Sequence, residues 1–197
     1  MRHYKLKETM SDNLDSLKYV KSKINIKFKN DFVNKEIKKE ITNKLTFTKE
    51  NEKDSCWINK NDVPLLTKKL EEIIGIPSMY FENYNAIQYK SNSIHNRFFD
   101  CWDVTTDRGK RNCEKRGQRI YSCIVFLTDK IEYYFDKLML THNPEENSLL
   151  IYKNVEDTSN QRIPEMQKTI KNKSDKAGVL LNIYIREKSN NNNVIYN

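Results

Sequence analysis

The feature that most constrains the fold is a series of short strand-like segments that fills the chain after residue 84. Each segment is rich in β-branched or aromatic residues and is bounded by polar turns, which is typical of antiparallel sheets. The segments span residues 85–89, 119–127, 137–140, 148–152 and 179–185. The segments 119–127 and 179–185 are apolar on both faces, as the central strands of a sandwich or barrel are. The pattern therefore predicts a β-sandwich or jelly roll.

Helical patterns precede these strands. The sequence NDFVNKEIKKEITNKL places apolar residues near helical spacing and predicts a helix around 31–44. The sequence NDVPLLTKKLEEIIGIP predicts a second helix, with Asp62 as its N-cap and Gly75 as its left-handed C-terminal stop. Helices followed by strands indicate an α+β protein in which the helices pack outside the β-structure.

The composition is that of a folded, basic protein. Hydrophobic residues make up 37% of the 197 residues and aromatic residues 11%, which argues against wholesale disorder. The net charge is +8, and residues 1–50 carry 13 Lys or Arg against 7 Asp or Glu. This balance favours acidic partners, including nucleic acid, although acids interspersed among the bases are also typical of a well-solvated surface. The Lys/Asn-rich, Gly-poor composition suggests an AT-biased coding sequence, as in some large DNA viruses.

Several classes of protein are not expected. The sequence has no secretory hydrophobic region and no run of about 18 apolar residues, so no membrane association is predicted. Four cysteines without a C-x-x-C pair indicate reduced thiols in an intracellular, cytoplasmic protein. His95, Cys101 and Cys113 are residue types that could bind zinc, but they lack the paired spacing of zinc ligands.

Five fragments, in chain order, resemble the catalytic domain of prolyl 4-hydroxylases, which are 2-oxoglutarate/iron(II) dioxygenases. They are SCWINKNDVPLLTKKLEEIIGIP, NAIQYKSNS, KRGQRIYSCIVFLTD, NPEENSLLIYKN and LLNIYIRE. The resemblance covers residues 45–187 and implies a double-stranded β-helix, a cupin-like jelly roll with N-terminal supporting helices. Residues 1–44 would then form a basic, partly helical extension and residues 188–197 a low-complexity tail.

The family resemblance also implies where an iron site would lie. In that family two histidines and one carboxylate hold iron(II). The resemblance places Asp100 at the carboxylate position, and Phe98 and Asn160 at the two histidine positions. A phenyl ring has no lone pair for a metal, and a neutral amide is a poor iron ligand. His95 would point to the opposite face of a regular strand and could reach the site only if the strand were shifted.

The 2-oxoglutarate anchor of the family is altered as well. A lysine normally pairs with the distal carboxylate of 2-oxoglutarate, and the resemblance puts Gly178 at its position. Lys176 and Tyr89 are the remaining candidates for cofactor binding. These departures predict no catalytic residues, with Asp100 as a structural remnant, and no bound cofactor. Iron(II) and 2-oxoglutarate are expected only if a realigned His95/Asp100 pair keeps the chain active.

The favoured function is therefore that of a catalytically degenerate member of this fold, a pseudoenzyme that binds a protein partner or regulates one. An active prolyl 4-hydroxylase-like dioxygenase is the first alternative. A basic RNA-binding accessory protein is the second, since a loop at 105–119 is rich in bases and two tyrosines follow the FLTD strand. The candidate contact residues are Arg108, Lys110, Arg111, Lys115, Arg116, Tyr133 and Tyr134. A solvated loop and core tyrosines are the competing interpretation.

Overall fold

Ten strands in two antiparallel sheets dominate the computed structural model, which describes residues 26–49, 53–157 and 159–189. The strands are β1 Lys27–Lys29, β2 Lys53–Ile58, β3 Tyr84–Tyr89, β4 Ile94–Phe98, β5 Arg119–Phe126, β6 Ile131–Phe135, β7 Leu140–His142, β8 Leu149–Lys153, β9 Lys168–Asn172 and β10 Gly178–Arg186. The larger sheet has the order β1-β8-β5-β10-β3-β2, and the smaller has the order β4-β9-β6-β7. This is the α+β jelly-roll architecture that the sequence predicts.

Three α-helices accompany the sheets in the described part of the chain: α1 Lys35–Thr42, α2 Pro64–Ile74 and α3 Asp107–Cys113. The side chain of Asn34 caps α1 by accepting the N–H of Ile37. Ile37 and Ile41, one helical turn apart, are buried in the main core, and β1 pairs with β8 of the larger sheet. None of the described helices is long and apolar enough to span a membrane.

The start of α2 differs from the prediction. Asp62 is not its N-cap, because Asp62 ends a preceding 3₁₀ turn and Val63 occupies the cap position. The carboxylate of Glu40 on α1 accepts the N–H groups of Leu65 and Leu66 instead, so a neighbouring helix satisfies these first-turn donors. The C-terminus agrees with the prediction: Gly75 adopts φ 74° and its N–H bonds to Glu71 O.

The larger sheet has an apolar cluster on each face. On β5, Cys123 and Val125 belong to the cluster that includes α1 and α2. Ile124 and Phe126 belong to the second cluster, which includes the inner side chains of β6 and β9. Because successive strand residues face opposite sides of a sheet, a central strand with both faces covered must be apolar throughout. This explains why 119–127 was recognisable in the sequence.

The smaller sheet was mostly missed by the sequence pattern. The predicted strand 137–140 is a turn up to Met139, and β7 begins only at Leu140. β4, β6 and β9 were not predicted, because their sequences IHNRF, IEYYF and KTIKN mix charged or amide residues with apolar ones. These strands carry the residues that form the centre of the barrel.

Candidate functional site

Asp100 lies just after β4 with its carboxylate buried in the barrel interior. Its side chain is 2% exposed, and its Oδ2 atom receives contacts from three strands. Ser122 Oγ on β5 donates to Oδ2 at 2.6 Å, and Tyr152 OH on β8 also donates to it. Asn154 Nδ2 donates to Ser122 Oγ at 2.8 Å and so holds that hydroxyl in place. The carboxylate is therefore enclosed in a network of protein donors.

The third partner of Asp100 is the ammonium group of Lys168, the first residue of β9. Lys168 Nζ lies 2.8 Å from Asp100 Oδ2, and the lysine side chain has no solvent exposure. The rings of Phe98 and Tyr152 flank the ammonium, with centroids 4.6 Å and 5.1 Å from Nζ. Phe98 pairs with Lys168 in the β4–β9 register, so strand pairing brings the lysine to the aspartate.

Burial and pairing act in opposite directions on the pKa values of this pair. Burial alone would raise the pKa of Asp100, but the Lys168 ammonium and the Ser122 and Tyr152 hydroxyls outweigh it and hold that pKa below its usual range. Burial lowers the pKa of Lys168, and the Asp100 carboxylate opposes this shift. The close contact in a dry environment favours a charged carboxylate facing an ammonium.

Two donors near Asp100 have hydrogen-bonding capacity to spare. Lys168 Nζ makes the ion pair but no well-aligned hydrogen bond within the described part of the chain, and Tyr133 OH is buried without a partner there. Burial, and then the charge of Asp100, raise the pKa of Tyr133, so its hydroxyl stays protonated. A buried donor without a partner destabilises a protein unless water or a ligand accepts its hydrogen bond.

β4 is not a regular strand, which changes the expected position of His95. The register shifts between His95 and Phe98, and Arg97 in this bulge has φ 38°. The imidazole centroid is 4.7 Å from that of Phe98 and 6.2 Å from that of Tyr89. His95 was expected on the face opposite Asp100 only if the strand were regular; the bulge removes that regularity, and the imidazole lies beside Phe98.

The structure brings Lys168, and not Asn160, to Asp100. Asn160 lies in a turn where its N–H donates to Glu156 O, and the bridge between Val155 and Arg162 closes this turn. The alignment of Asn160 with a lost histidine position stays a prediction, and the described contacts place Asn160 in a hairpin turn. A lysine sharing a strand face with buried Ile170 was the overlooked signal, since Lys is rarely fully buried without a partner.

The candidate cofactor residues Lys176 and Tyr89 lie in different environments. Lys176 is exposed in the turn between β9 and β10, and its role in binding a cofactor stays a prediction. Tyr89 is buried, with a pKa raised by burial and by the charge of Asp100. At Gly178 a Cβ atom would lie 3.0 Å from Ile131 Cγ1 and 3.1 Å from Asn172 Cγ, so these two side chains fill the space that a larger residue would need.

The candidate contact residues also separate into two groups. Arg108, Lys110, Arg111 and Lys115 are exposed on or beside α3, whereas the Arg116 guanidinium donates to backbone oxygens. Tyr133 is fully buried on β6, so its proposed role as a contact residue was wrong. Tyr134 on the same strand is half-buried.

Iron(II) does not fit the donors around Asp100. The carboxylate already carries an ammonium and two hydroxyl contacts, and a second cation would be repelled by Lys168. Nowhere in residues 26–49, 53–157 and 159–189 do three His, Cys, Asp or Glu side chains converge. His95, Cys101 and Cys113 form no such cluster in the described part of the chain.

Solved structures identify the class of fold. The chain is similar to the viral collagen prolyl hydroxylase of Paramecium Bursaria Chlorella virus-1 in a 2OG complex, with TM-score 0.64 and 16% identity over 82% of this chain and 95% of that one. A Pseudomonas putida prolyl-4-hydroxylase gives TM-score 0.51 and 9% identity over 87% and 97%. A Trichoplax adhaerens prolyl hydroxylase in complex with a hypoxia inducible factor peptide fragment has a TM-score of 0.58 and 10% identity, over 85% of this chain and 86% of that one.

These similarities confirm the predicted jelly roll of the prolyl 4-hydroxylase-like 2-oxoglutarate oxygenases. No protein-family model matches the chain, and a comparison of its sequence with curated proteins finds no match. The prediction that no cofactor is expected is contradicted by these neighbours, which are prolyl hydroxylases and include a 2OG complex. The missing histidines predicted that no cofactor binds, but losing metal ligands does not by itself exclude binding of other small molecules.

Proposed function

We propose that this protein is a catalytically degenerate member of the prolyl hydroxylase-like fold that acts as a protein-binding or regulatory module. One observation carries the proposal: the fully buried Lys168 ammonium lies 2.8 Å from Asp100 Oδ2. The resemblance to prolyl 4-hydroxylases places Asp100 at the position of a carboxylate that binds iron in that family. Here an internal cation neutralises it, so the barrel centre is completed by the chain itself.

The jelly-roll scaffold can support binding of a partner without metal-dependent catalysis. The jelly roll carries its loops on a rigid core, and a fold does not require the activity of its relatives. The exposed bases of α3 and the net charge of +8 favour an acidic partner. A cytoplasmic location remains a prediction from the sequence.

Turnover of 2-oxoglutarate tests this proposal. The full chain is incubated with iron(II), ascorbate and 2-oxoglutarate, with and without proline-containing peptides, and succinate is quantified. We expect no succinate above the level of a metal-free control. Steady, metal-dependent production exceeding the amount of protein would refute the degenerate function.

A variant that restores ligands provides the matched positive control. Phe98→His combined with Lys168→His places two imidazoles on paired positions of β4 and β9 beside Asp100. We expect this variant to bind cobalt(II) at Asp100 and to show absorption bands that the parent protein lacks. Adding Asp100→Asn to the variant should abolish these bands. Bands of equal strength in the parent would show that Lys168 does not block the carboxylate.

An active 2-oxoglutarate-dependent oxygenase is the second candidate. It is supported by the prolyl hydroxylase neighbours and by the two donors with spare capacity, Lys168 Nζ and Tyr133 OH, which could bind a carboxylate. This candidate predicts succinate in the turnover assay and its loss in Tyr133→Phe. The degenerate protein gives no succinate in either case.

A further inference from the structure

A second concave site lies outside the barrel interior, at the end of β10. Its volume is about 520 Å³, within the range of about 300–1,000 Å³ that is usual for ligand sites. Trp57 from the edge strand β2 and Trp102 after Asp100 line it, and these are the only two tryptophans of the chain. We call this site the Trp57/Trp102 pocket.

Positive charge is in excess around this pocket. Lys60, Arg116 and Arg186 line it, and Glu82 is its one acidic lining residue. The Glu82 carboxylate is already shared, because Arg186 Nη1 lies 2.8 Å from Oε1 and Arg119 Nη2 lies 2.7 Å from Oε2. The single negative charge of Glu82 also favours the charged form of Arg116, but it is one charge against the three cations that line the pocket.

Cations around the pocket add to the effect of burial in lowering the pKa values of their neighbours. Burial lowers the pKa of Lys60, and the charge of Arg116 lowers it further. Burial likewise lowers the pKa of Arg116, with Arg186 adding to the effect and Glu82 opposing it. Glu71 acts on Lys60 in the opposite direction, but its carboxylate accepts the N–H of Ser78 and does not line the pocket. An anion among these groups would relieve their repulsion.

Two guanidinium groups pack on one indole of the pocket, and not all of the buried donors around it have acceptors in the described residues. The guanidinium carbons of Arg119 and Arg186 lie 4.3 Å and 4.4 Å from the Trp102 ring centroid, so two stacked guanidinium groups hold this indole. Arg186 is 5% exposed, and Arg116 Nε and Arg186 Nε are buried without an acceptor in the described residues. The Trp57 side chain, by contrast, is 57% exposed and available for contact.

These features favour one anionic group on a protein over a nucleic-acid backbone. The cations surround a single concavity, whereas the exposed bases Arg108, Lys110 and Arg111 do not line it. A planar guanidinium matches a carboxylate, and an exposed tryptophan beside a charged pocket is typical of protein–protein contacts. We propose that the Trp57/Trp102 pocket receives an aspartate or glutamate carboxylate from an acidic segment of a protein partner, whose adjoining apolar group packs on Trp57. This inference rests on the proposed binding function and names the chemistry of the partner.

Tryptophan fluorescence of the full chain reports on this pocket directly, because both tryptophans line it. The chain is titrated with a capped, tryptophan-free peptide containing glutamate and phenylalanine, with the same peptide carrying glutamine for each glutamate, with sodium phosphate and with oligouridylate. We expect a saturable change with the glutamate peptide and at least about tenfold weaker binding of the glutamine peptide, equivalent to about 1.4 kcal/mol. Equal binding of the two peptides would overturn the inference, as would tighter binding of oligouridylate or saturation by phosphate alone.

Adjacent positions supply a matched pair of variants. Arg116→Glu and Lys115→Glu change the net charge equally, but only Arg116 lines the pocket, whereas Lys115 is exposed outside it. In anisotropy measurements with fluorescein-labelled glutamate peptide, we expect Arg116→Glu to weaken binding about tenfold or more and Lys115→Glu by less than about twofold. Equal losses would mean that only long-range charge matters.

Thermal melting checks that each variant is folded. Arg116 also donates to the Met79 and Phe81 carbonyl groups, so if Arg116→Glu unfolds, Trp57→Ala replaces it, since this exposed side chain can be removed safely. We expect Trp57→Ala to weaken peptide binding several-fold, and unchanged binding would count against the inference. Absence of glutamate-dependent binding in a chain that makes no succinate overturns this inference alone. Succinate production overturns the proposed function, whatever the peptide does.

Discussion

Lys168 is the residue whose position most changes the interpretation of the site. Its ammonium neutralises Asp100 in a place without solvent, flanked by the Phe98 and Tyr152 rings. Taking both charges out of water is costly, so the pair persists because each group compensates the other. Lys168 lies on β9 and Asp100 just after β4, so residues far apart in the chain form the pair and no local motif links them.

Removing one member of this ion pair should destabilise the fold far more than removing both. Lys168→Met leaves Asp100 buried and uncompensated, and we expect a loss of about 3–5 kcal/mol in the free energy of unfolding. Asp100→Asn combined with Lys168→Met should recover most of that loss, because an amide oxygen still accepts from Ser122 and Tyr152. Urea denaturation measures both quantities.

Lys171 on the same strand provides the control. It is 38% exposed and lies 3.5 Å from Glu132, so Lys171→Met should change stability by less than about 1 kcal/mol. If Lys168→Met proves as mild as Lys171→Met, the ion pair does not exist as described.

At the scale of elements, the clearest sequence signals were confirmed and the weaker ones failed for identifiable reasons. β5 and β10 were predicted because both of their faces are covered, which demands apolar residues throughout. β9 was not predicted, because the sequence Lys168–Asn172 is typical of a surface segment. Its burial is explained only by the ion pair between Lys168 and Asp100, which the sequence does not reveal. The Gly75 stop of α2 was predicted correctly, since a left-handed residue is required there.

Gly75 allows a test of the rule that a left-handed C-terminal helix position favours glycine. Its φ of 74° disfavours a side chain, although a Cβ atom would meet nothing within 4 Å. Gly75→Ala should therefore destabilise the protein by about 1 kcal/mol through backbone strain alone. Gly75→Asn should cost less, because asparagine tolerates the left-handed region. Equal stability of all three proteins in thermal melts would contradict the assigned backbone conformation.

For the whole molecule, one contact between the sheets contributes to the response of stability to pH. His142 on β7 of the smaller sheet packs against Phe28 on β1, with ring centroids 4.0 Å apart, and against Phe126 on β5. Burial lowers the pKa of His142 to about 4. The folded protein therefore keeps this imidazole neutral at a pH where the unfolded chain protonates it.

This difference predicts acid destabilisation over a defined range. The unfolded pKa is about 6.5, so the stabilising contribution is complete above that pH and is lost progressively as pH falls toward about 4. We expect His142→Phe to remove up to about 3 kcal/mol of this pH dependence, as measured by urea denaturation between pH 8 and pH 4. Parallel stability curves for the two proteins would show that His142 is not shielded from water.

The sequence pattern by itself determined the central strands and the end of α2, because these depend on local periodicity and backbone conformation. The pattern left a β-sandwich or a jelly roll open, and the resemblance to prolyl 4-hydroxylases implied the jelly roll. The sequence also determined that Phe98 has no lone pair to offer a metal. Only the tertiary structure decided that Lys168 neutralises Asp100, that a bulge turns His95 toward Phe98, and that two distant tryptophans line one cationic pocket. These outcomes depend on strand register and on contacts between residues far apart in the chain, which short-range patterns do not encode.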